Sequence, residues 1–215
     1  MKTRIEQFKG LYQNKPAVVC GTGPSVSDFL PYCKDRGLVT IGVNSIGQHW
    51  FHPEHLVIID RFYQPESDAV YPEDQKSKIA AMVANQSLYT FYPYEGIFLF
   101  SQFIKFRMCG GRPLDYAHTH DQLWYYYTTT ITGISLAVYM GCPQIGVIGL
   151  DCSKNHPTYG VLAGIEQTLK SILNYTRSCG IEIVNLSPIS LVEALPKMDL
   201  ARFIELYTRG NIDAS

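Results

Sequence analysis

The chain has 215 residues, with 18 lysines and arginines against 19 aspartates and glutamates, so its formal net charge is −1. A chain without a basic excess has no broad field for neutralising a row of phosphates, which argues against nucleic-acid binding. Charged residues make up only 17% of the chain, whereas aromatic residues reach 13%. Its polar surface must therefore come largely from tyrosine, hydroxyl and amide side chains. Such a surface suits a subunit interface or a pocket for a polar organic ligand, and we expect a homo-oligomer.

Two further classes of protein are excluded by sequence pattern. No segment approaches the roughly 18 consecutive apolar residues of a membrane span, and the first residues lack the apolar core of a signal peptide. We therefore expect a cytoplasmic protein without a membrane span. The six cysteines are scattered without a Cys-x-x-C pair, which argues against a disulfide framework or a zinc knuckle.

Strand and helix patterns alternate along most of the chain. Apolar runs that stop at a polar residue or a glycine predict strands at residues 17–20, 38–43, 56–59, 87–91, 96–100, 145–148 and 181–184. Helical periodicity and capping signals predict helices at residues 26–33, 76–85, 128–140, 161–179 and 201–207. This alternation predicts a single α/β domain over residues 1–215, with a doubly wound, mainly parallel sheet of Rossmann-like type. Residues 62–127 are predicted to form a partly irregular insertion or lid.

Polar and glycine residues follow the predicted strands. In an open parallel sheet, ligands bind at the carboxyl ends of the strands. The residues predicted at these ends are Gly21, Thr22, Gly23, Pro24, Ser25, Asn44, Asp60, Gly149 and Asp151. Glycines let the backbone approach a ligand, and N–H groups that open a helix attract phosphate. The dinucleotide fingerprint would need a glycine where Val26 stands, and the Walker pattern is absent, so an NAD enzyme and a P-loop kinase are not supported.

Together these motifs resemble one protein family. The segments that carry the resemblance are residues 18–25, Asn44, Asp60, residues 128–130 and residues 137–151. They are similar to the bacterial sialyltransferases that use CMP-sialic acid, and to their relatives among flagellin-modifying glycosyltransferase-like proteins and archaeal-type hydroxymethyl-dihydropterin pyrophosphokinases. The resemblance covers about positions 17–60 and 128–185. It implies a nucleotide or nucleotide-sugar ligand and a glycan or protein acceptor, as in lipopolysaccharide biosynthesis.

The resemblance also implies roles for single residues. The family's Gly-Asn-Gly-Pro-Ser motif corresponds to residues 21–25, where Thr22 replaces the nucleotide-holding asparagine, and Asn44 is retained. The family's Thr-Ser-Gly motif corresponds to residues 128–130, so Thr129 matches a nucleotide-contacting serine and Thr130 replaces a glycine. His156 resembles the family's general base.

Three functions remain open from the sequence. The first is sugar transfer from a CMP-sugar without a metal, with His156 as base. The second is Mg²⁺-dependent pyrophosphate transfer to a pterin-like substrate, because Asp60 and Asp151 both follow strands and carboxylates with substrate phosphates hold Mg²⁺. The third is a non-catalytic nucleotide-binding or assembly module. Two other features give weaker predictions. The histidines at 49, 52 and 55 are weak candidates for a metal site, and the tyrosines at 125–127 are better candidates for packing or an interface than for ligand binding.

Overall fold

The computed structural model describes residues 4–34, 37–49, 51–59, 87–93, 103–109, 122–154 and 157–208. Nine strands lie in these ranges: β1 (Ala17–Cys20), β2 (Val39–Val43), β3 (His55–Val57), β4 (Tyr89–Tyr92), β5 (Ile104–Lys105), β6 (Arg107–Cys109), β7 (Gln122–Trp124), β8 (Gln144–Ile148) and β9 (Glu182–Asn185). The α-helices of the described residues are α1 (Thr129–Tyr139), α2 (Leu162–Ser178) and α3 (Leu200–Thr208). Four 3₁₀ helices cover Ile5–Phe8, Pro24–Tyr32, Ile46–His49 and Pro157–Val161.

Seven strands form one sheet in the order β5-β4-β3-β2-β1-β8-β9, and every pair in it is parallel. The chain builds outward from β1 to β5, then returns to the other side of β1 with β8 and β9. This is the predicted α/β fold with a parallel, Rossmann-like sheet. The order reverses between β1 and β8, and a crevice opens at such a switch point, outside the carboxyl ends of the strands.

Both faces of the sheet are covered, as the term doubly wound requires. Alternate residues of a strand point to opposite faces, so Ala17 and Val19 of β1 belong to one core cluster and Val18 and Cys20 to the other. The first cluster includes buried residues of α1 and α2, and the second those of the Pro24–Tyr32 helix and α3. All four residues of β1 are fully buried, which explains why its sequence is an uninterrupted apolar run.

Helix α1 lies close against the centre of the sheet, and all 11 of its residues are buried. A side chain at Gly133 would come within 2.8 Å of Val19 Cγ1, so the glycine permits this approach. Because α1 follows β7 and Thr128 caps its start, its first turn faces the crevice at the strand ends.

Most sequence-predicted elements are observed with shifted ends, but one prediction needs correction. The predicted helix at 26–33 is a 3₁₀ helix, Pro24–Tyr32, and Pro31 inside it cannot donate the backbone hydrogen bond that an α-helix needs. The predicted insertion at 62–127 contains β4 and β5, which extend the main sheet, and β6 and β7, which pair with each other. The helix predicted at 76–85 and the strand at 96–100 lie outside the described residues.

Within the described residues, no helix has both the length and the apolar character needed to cross a bilayer.

Candidate nucleotide site

A cleft of about 240 Å³ lies at the carboxyl ends of the central strands. Five separate segments of the chain supply its walls: the turn after β1, the end of β2, the segment after β3, the start of α1 with the residues before it, and the segment after β8. Its lining residues are Thr22, Gly23, Pro24, Val43, Asn44, Ile59, Tyr125, Tyr127, Thr128, Thr129, Thr130, Gly149, Leu150, Asp151, Cys152 and Ser153. Eight of the residues that the sequence singled out therefore line one cleft. Gly21 and Ser25, although absent from the lining, lie in the same turn.

Asp151 holds the floor of this cleft together. Its carboxylate accepts hydrogen bonds from the Ser25 N–H at 2.9 Å, the Ser25 hydroxyl at 2.6 Å and the Ser187 hydroxyl at 2.6 Å. The Ser25 hydroxyl oxygen in turn accepts a hydrogen bond from Gly149 N–H at 3.0 Å. Asp151 is 3% exposed. A buried carboxylate with three donors thus joins the segments that follow β1, β8 and β9.

The glycine turn after β1 is occupied by these internal contacts. Gly21 N–H donates to Ile148 O at 2.7 Å, and Gly23 N–H donates to Gly149 O at 2.8 Å. With the Ser25 N–H on Asp151, three backbone donors of the turn are engaged within the protein. The expectation that N–H groups of this turn attract phosphate is therefore wrong for these three donors. The physical reason is that two backbone carbonyl oxygens accept from Gly21 and Gly23, and the Asp151 carboxylate takes the anion position at the start of the Pro24–Tyr32 helix.

The start of α1 offers a second place for an anion. Thr128 is its N-cap, and its hydroxyl oxygen accepts a hydrogen bond from Thr130 N–H at the long distance of 3.4 Å. The first N–H groups of an α-helix have no partner within the helix and carry partial positive charge. Residues 128–130 all line the cleft, so this helix end faces the space in which a ligand would lie.

Asn44 and Thr129 are positioned for hydrogen bonding on the same wall. Asn44 Nδ2 donates to Thr129 Oγ1 at 2.8 Å, and Asn44 Oδ1 accepts from Ile59 N–H at 3.4 Å. Because the Thr129 oxygen accepts from Asn44, the hydroxyl proton is directed elsewhere and can be donated to a ligand oxygen. The two residues are 85 positions apart and meet because β2 ends and α1 begins at the same edge of the sheet.

Backbone strain is concentrated at this cleft. Within the described residues, the non-glycine residues with positive φ are Asn44 at 45°, Tyr127 at 55° and Cys152 at 50°. All three line the cleft, as does Gly149 at 75°. Such conformations cost of the order of 1–3 kcal/mol each and persist only where the surrounding structure imposes them. Their clustering at one cavity is typical of a functional site.

The charge of the cleft is unusual for a phosphate site. Asp151 is the one charged side chain among its lining residues, and no lysine or arginine of the described part of the chain lines it. Among the described residues, a phosphate would therefore meet hydroxyl groups and helix N–H groups.

The predicted magnesium site finds little support in the residues that are described. Three of the roughly four acceptor positions of the Asp151 carboxylate are taken by the serines, which leaves little capacity for a metal ion. No cluster of three or more histidine, cysteine, aspartate or glutamate side chains occurs in the described ranges. Asp60, the other proposed ligand, lies outside them, as does His156, the candidate base.

The predicted histidine set at 49, 52 and 55 does not converge. The ring of His49 hydrogen-bonds to Thr22 O at 3.1 Å and so supports the glycine turn. His55 is fully buried at the start of β3, where its ring contacts the Tyr12 hydroxyl at 3.1 Å and stacks on Tyr89. His52 is exposed. The first of these histidines therefore belongs to the cleft floor and the last to the core.

Sequence reasoning missed several residues of the cleft. Tyr125 and Tyr127 line it and are 38% and 49% exposed, whereas Tyr126 between them packs against the core. The sequence had favoured packing or an interface for all three. These tyrosines lie beyond the end of β7, and Tyr127 has a positive φ, so strand alternation does not predict which of them face the cleft. Cys152 and Ser153 directly follow the predicted Asp151 and were also missed.

No family model and no curated protein matches the chain. Among solved structures it is similar to sialyltransferase CstII from Campylobacter jejuni in complex with the substrate analogue CMP-3FNeuAc, at 12% identity and a TM-score of 0.49, over 86% of this chain and 85% of that one. It is also similar to an apo alpha-2,3-sialyltransferase from Campylobacter jejuni, at 12% identity and a TM-score of 0.47, over 93% of this chain and 95% of that one. A CstII variant in complex with CMP is similar at 12% identity and a TM-score of 0.46, over 86% of each chain.

Proposed function

We propose that this protein is a sialyltransferase-like glycosyltransferase, which binds a CMP-sugar or related nucleotide-sugar in the cleft and transfers the sugar to a glycan or protein acceptor. One observation carries the proposal. The segments on which the sequence resemblance rests lie apart in the chain, yet Thr22, Asn44, Thr129 and Asp151 all line a single cleft at the switch point of the sheet.

The chemistry of the cleft supports a nucleotide of low charge. Asn44 and the threonines at 128–130 present hydroxyl and amide groups, and the start of α1 supplies partial positive charge. Because Asp151 is the one charged side chain among the described lining residues, a ligand with one phosphate meets less repulsion from them than one with two or three. A nucleoside monophosphate sugar fits these conditions better than a nucleoside triphosphate.

In this proposal the protein binds and orients the donor through its neutral side chains. Thr129 donates its hydroxyl to a phosphate or ribose oxygen while Asn44 fixes the position of that hydroxyl. His156 removes the proton of the acceptor hydroxyl, a role assigned by the resemblance and consistent with the ordinary pKa of histidine near neutrality. We therefore expect His156→Ala to bind CMP as the wild type does and to lose sugar transfer.

The test begins with binding. The melting temperature of the wild-type protein is measured with CMP, CDP, UDP, ATP and several sugar nucleotides, and transfer is then followed as the release of CMP from each CMP-sugar that binds. We expect CMP and at least one CMP-sugar to raise the melting temperature. A melting temperature that none of these ligands changes would contradict the proposal.

Product measurements separate this proposal from the pyrophosphokinase and from the non-catalytic module. The pyrophosphokinase alternative predicts formation of AMP from ATP only when Mg²⁺ and a pterin alcohol are both present, and loss of that activity in Asp60→Asn. A non-catalytic module would bind CMP yet release no CMP from any CMP-sugar, and His156→Ala would change neither result. The three serine and backbone donors on Asp151 favour the metal-independent reaction.

A further inference from the structure

Tyr127 occupies a place in the cleft that the resemblance to sialyltransferases does not assign. It lines the cleft directly before the threonines that open α1, and 49% of it is exposed. An exposed aromatic ring beside a helix N-terminus presents a contact surface to a ligand in the cleft.

The backbone holds Tyr127 in one unusual position. Thr128 N–H donates to Tyr126 O at 2.6 Å, which closes a three-residue turn around Tyr127, and the φ of Tyr127 is 55°. Turns of this kind with positive φ are rare and strained, and a tyrosine is poorly suited to one. The turn points the Tyr127 ring away from the core, into which Tyr126 packs.

The ring is also fixed from the side of α2. A Cβ atom at Gly164 would overlap the Tyr127 ring at Cζ and would lie 2.9 Å from its hydroxyl oxygen. Tyr126 packs edge-to-face against Tyr127, with ring centroids 4.9 Å apart. A glycine inside a helix costs stability relative to alanine, so the small residue at 164 has a use that packing of the core does not explain. It leaves room for the ring.

From this geometry we infer that Tyr127 is a specificity-determining residue whose ring forms the platform on which the nucleobase of the ligand stacks. The inference rests on the proposed nucleotide site. With the phosphate at the start of α1, the nucleoside attached to it lies beside the residue that precedes the N-cap. A rigid, half-exposed aromatic ring provides a face for a planar base, and such stacking needs no charged partner.

The experiment compares two ligands, CMP and ribose 5-phosphate, which lacks the base. Their dissociation constants are measured for the wild type, Tyr127→Phe, Tyr127→Leu and Gly164→Ala, with Tyr159→Leu as the matched control. Tyr159 is 42% exposed but does not line the cleft. Melting temperatures without ligand show which variants fold.

We expect Tyr127→Leu to bind CMP about 5- to 150-fold more weakly, the range for loss of one aromatic platform, and to bind ribose 5-phosphate as the wild type does. Tyr127→Phe retains the ring, so its dissociation constant for CMP stays within about twofold of the wild-type value, as does that of the control. Gly164→Ala displaces the ring without changing its chemical groups. We expect it to weaken the binding of CMP and to leave the binding of ribose 5-phosphate unchanged. Should Tyr127→Leu not fold, Tyr127→Trp replaces it, with a fluorescence that CMP quenches and ribose 5-phosphate does not.

Several outcomes would overturn the inference. Equal losses for CMP and ribose 5-phosphate would assign Tyr127 to the phosphate or to the fold, and unchanged affinity for both would leave the ring without a ligand role. A wild-type protein that does not bind CMP would overturn the proposed function and this inference together, whereas the variant results bear on Tyr127 alone.

Discussion

Ser25 and Asp151 lie 126 positions apart and are joined by two hydrogen bonds, from the Ser25 N–H to Oδ2 at 2.9 Å and from the Ser25 hydroxyl to Oδ1 at 2.6 Å. The pair links the turn after β1 to the segment after β8, on the two sides of the switch point. It places an internal carboxylate where the helix that follows a glycine turn would otherwise receive an anion. Under the proposed function, this leaves the start of α1 as the place for the phosphate of the ligand.

Asp151→Asn should destabilise the protein by about 1.5–3 kcal/mol, because the amide group turns one acceptor into a donor that faces a serine N–H or hydroxyl. The free energy of unfolding is measured with urea. Asp199→Asn is the control, since Asp199 is exposed and accepts from Arg202 N–H at the start of α3, a capping role that asparagine also fills. Equal unfolding midpoints for the two variants would contradict a structural role for Asp151.

Gly23→Ala should disturb the floor of the cleft. The added methyl group would overlap Asp151 Oδ2 and lie 2.6 Å from Gly149 O, so the turn must shift, at a cost of about 1–3 kcal/mol. Gly160→Ala adds the same methyl group where nothing lies within 4 Å. We expect urea unfolding to show a lower free energy of unfolding for Gly23→Ala and little change for Gly160→Ala. The affinity for CMP should fall only in Gly23→Ala. Similar losses in both variants would argue against a local effect.

Thr129→Val should weaken CMP binding about tenfold, because the cleft loses one hydroxyl donor while its shape is kept. Thr176→Val is the matched control: Thr176 is also a buried helical threonine, but its hydroxyl donates to Leu173 O near the end of α2. Asn44→Ala, compared with the exposed Asn174→Ala, should give a loss of similar size, since Asn44 orients the same hydroxyl. Calorimetric titration with CMP checks both pairs. Unchanged affinity in Thr129→Val and Asn44→Ala would exclude this wall from the ligand site.

Stability should fall in alkaline solution through Cys142. Burial of its thiol, reinforced by the nearby Glu54 charge, raises its pKa from the ordinary value of 9.0 to about 12. The folded state therefore keeps the thiol neutral after the unfolded chain has begun to lose its proton. This contribution to stability is fully present below about pH 9 and is lost as the pH rises towards 12.

The test for Cys142 compares the wild type with Cys142→Ala by urea unfolding at several pH values from about 8 to about 10, below the range in which the folded protein titrates. At pH 8 the alanine variant is the less stable, because it leaves a small cavity. We expect the difference between the two proteins to shrink as the pH rises. A constant difference over this range would show that the thiol does not contribute to the alkaline loss.

The sequence by itself predicted the elements that depend on local patterns. The apolar run of β1 and the periodicity of α2 identified them, and the glycine at position 180, with a φ of 73° directly after the helix, marked the end of α2. The rule that ligands bind at the carboxyl ends of parallel strands then predicted that Asn44 and Asp151 lie near one another, and the resemblance to sialyltransferases added Thr129.

Only the tertiary structure decided what each of these residues does there. Whether the glycine turn has free N–H groups depends on the backbone carbonyls of residues 148 and 149 and on the carboxylate at 151. These contacts exist because β1 and β8 pair in parallel and bring distant segments to one edge. The role of Tyr127 depends likewise on its positive φ and on the space left by Gly164, 37 residues further along by their numbers. Local patterns record which face or strand end a residue occupies, whereas hydrogen-bond partners and ring contacts arise between segments that only folding brings together.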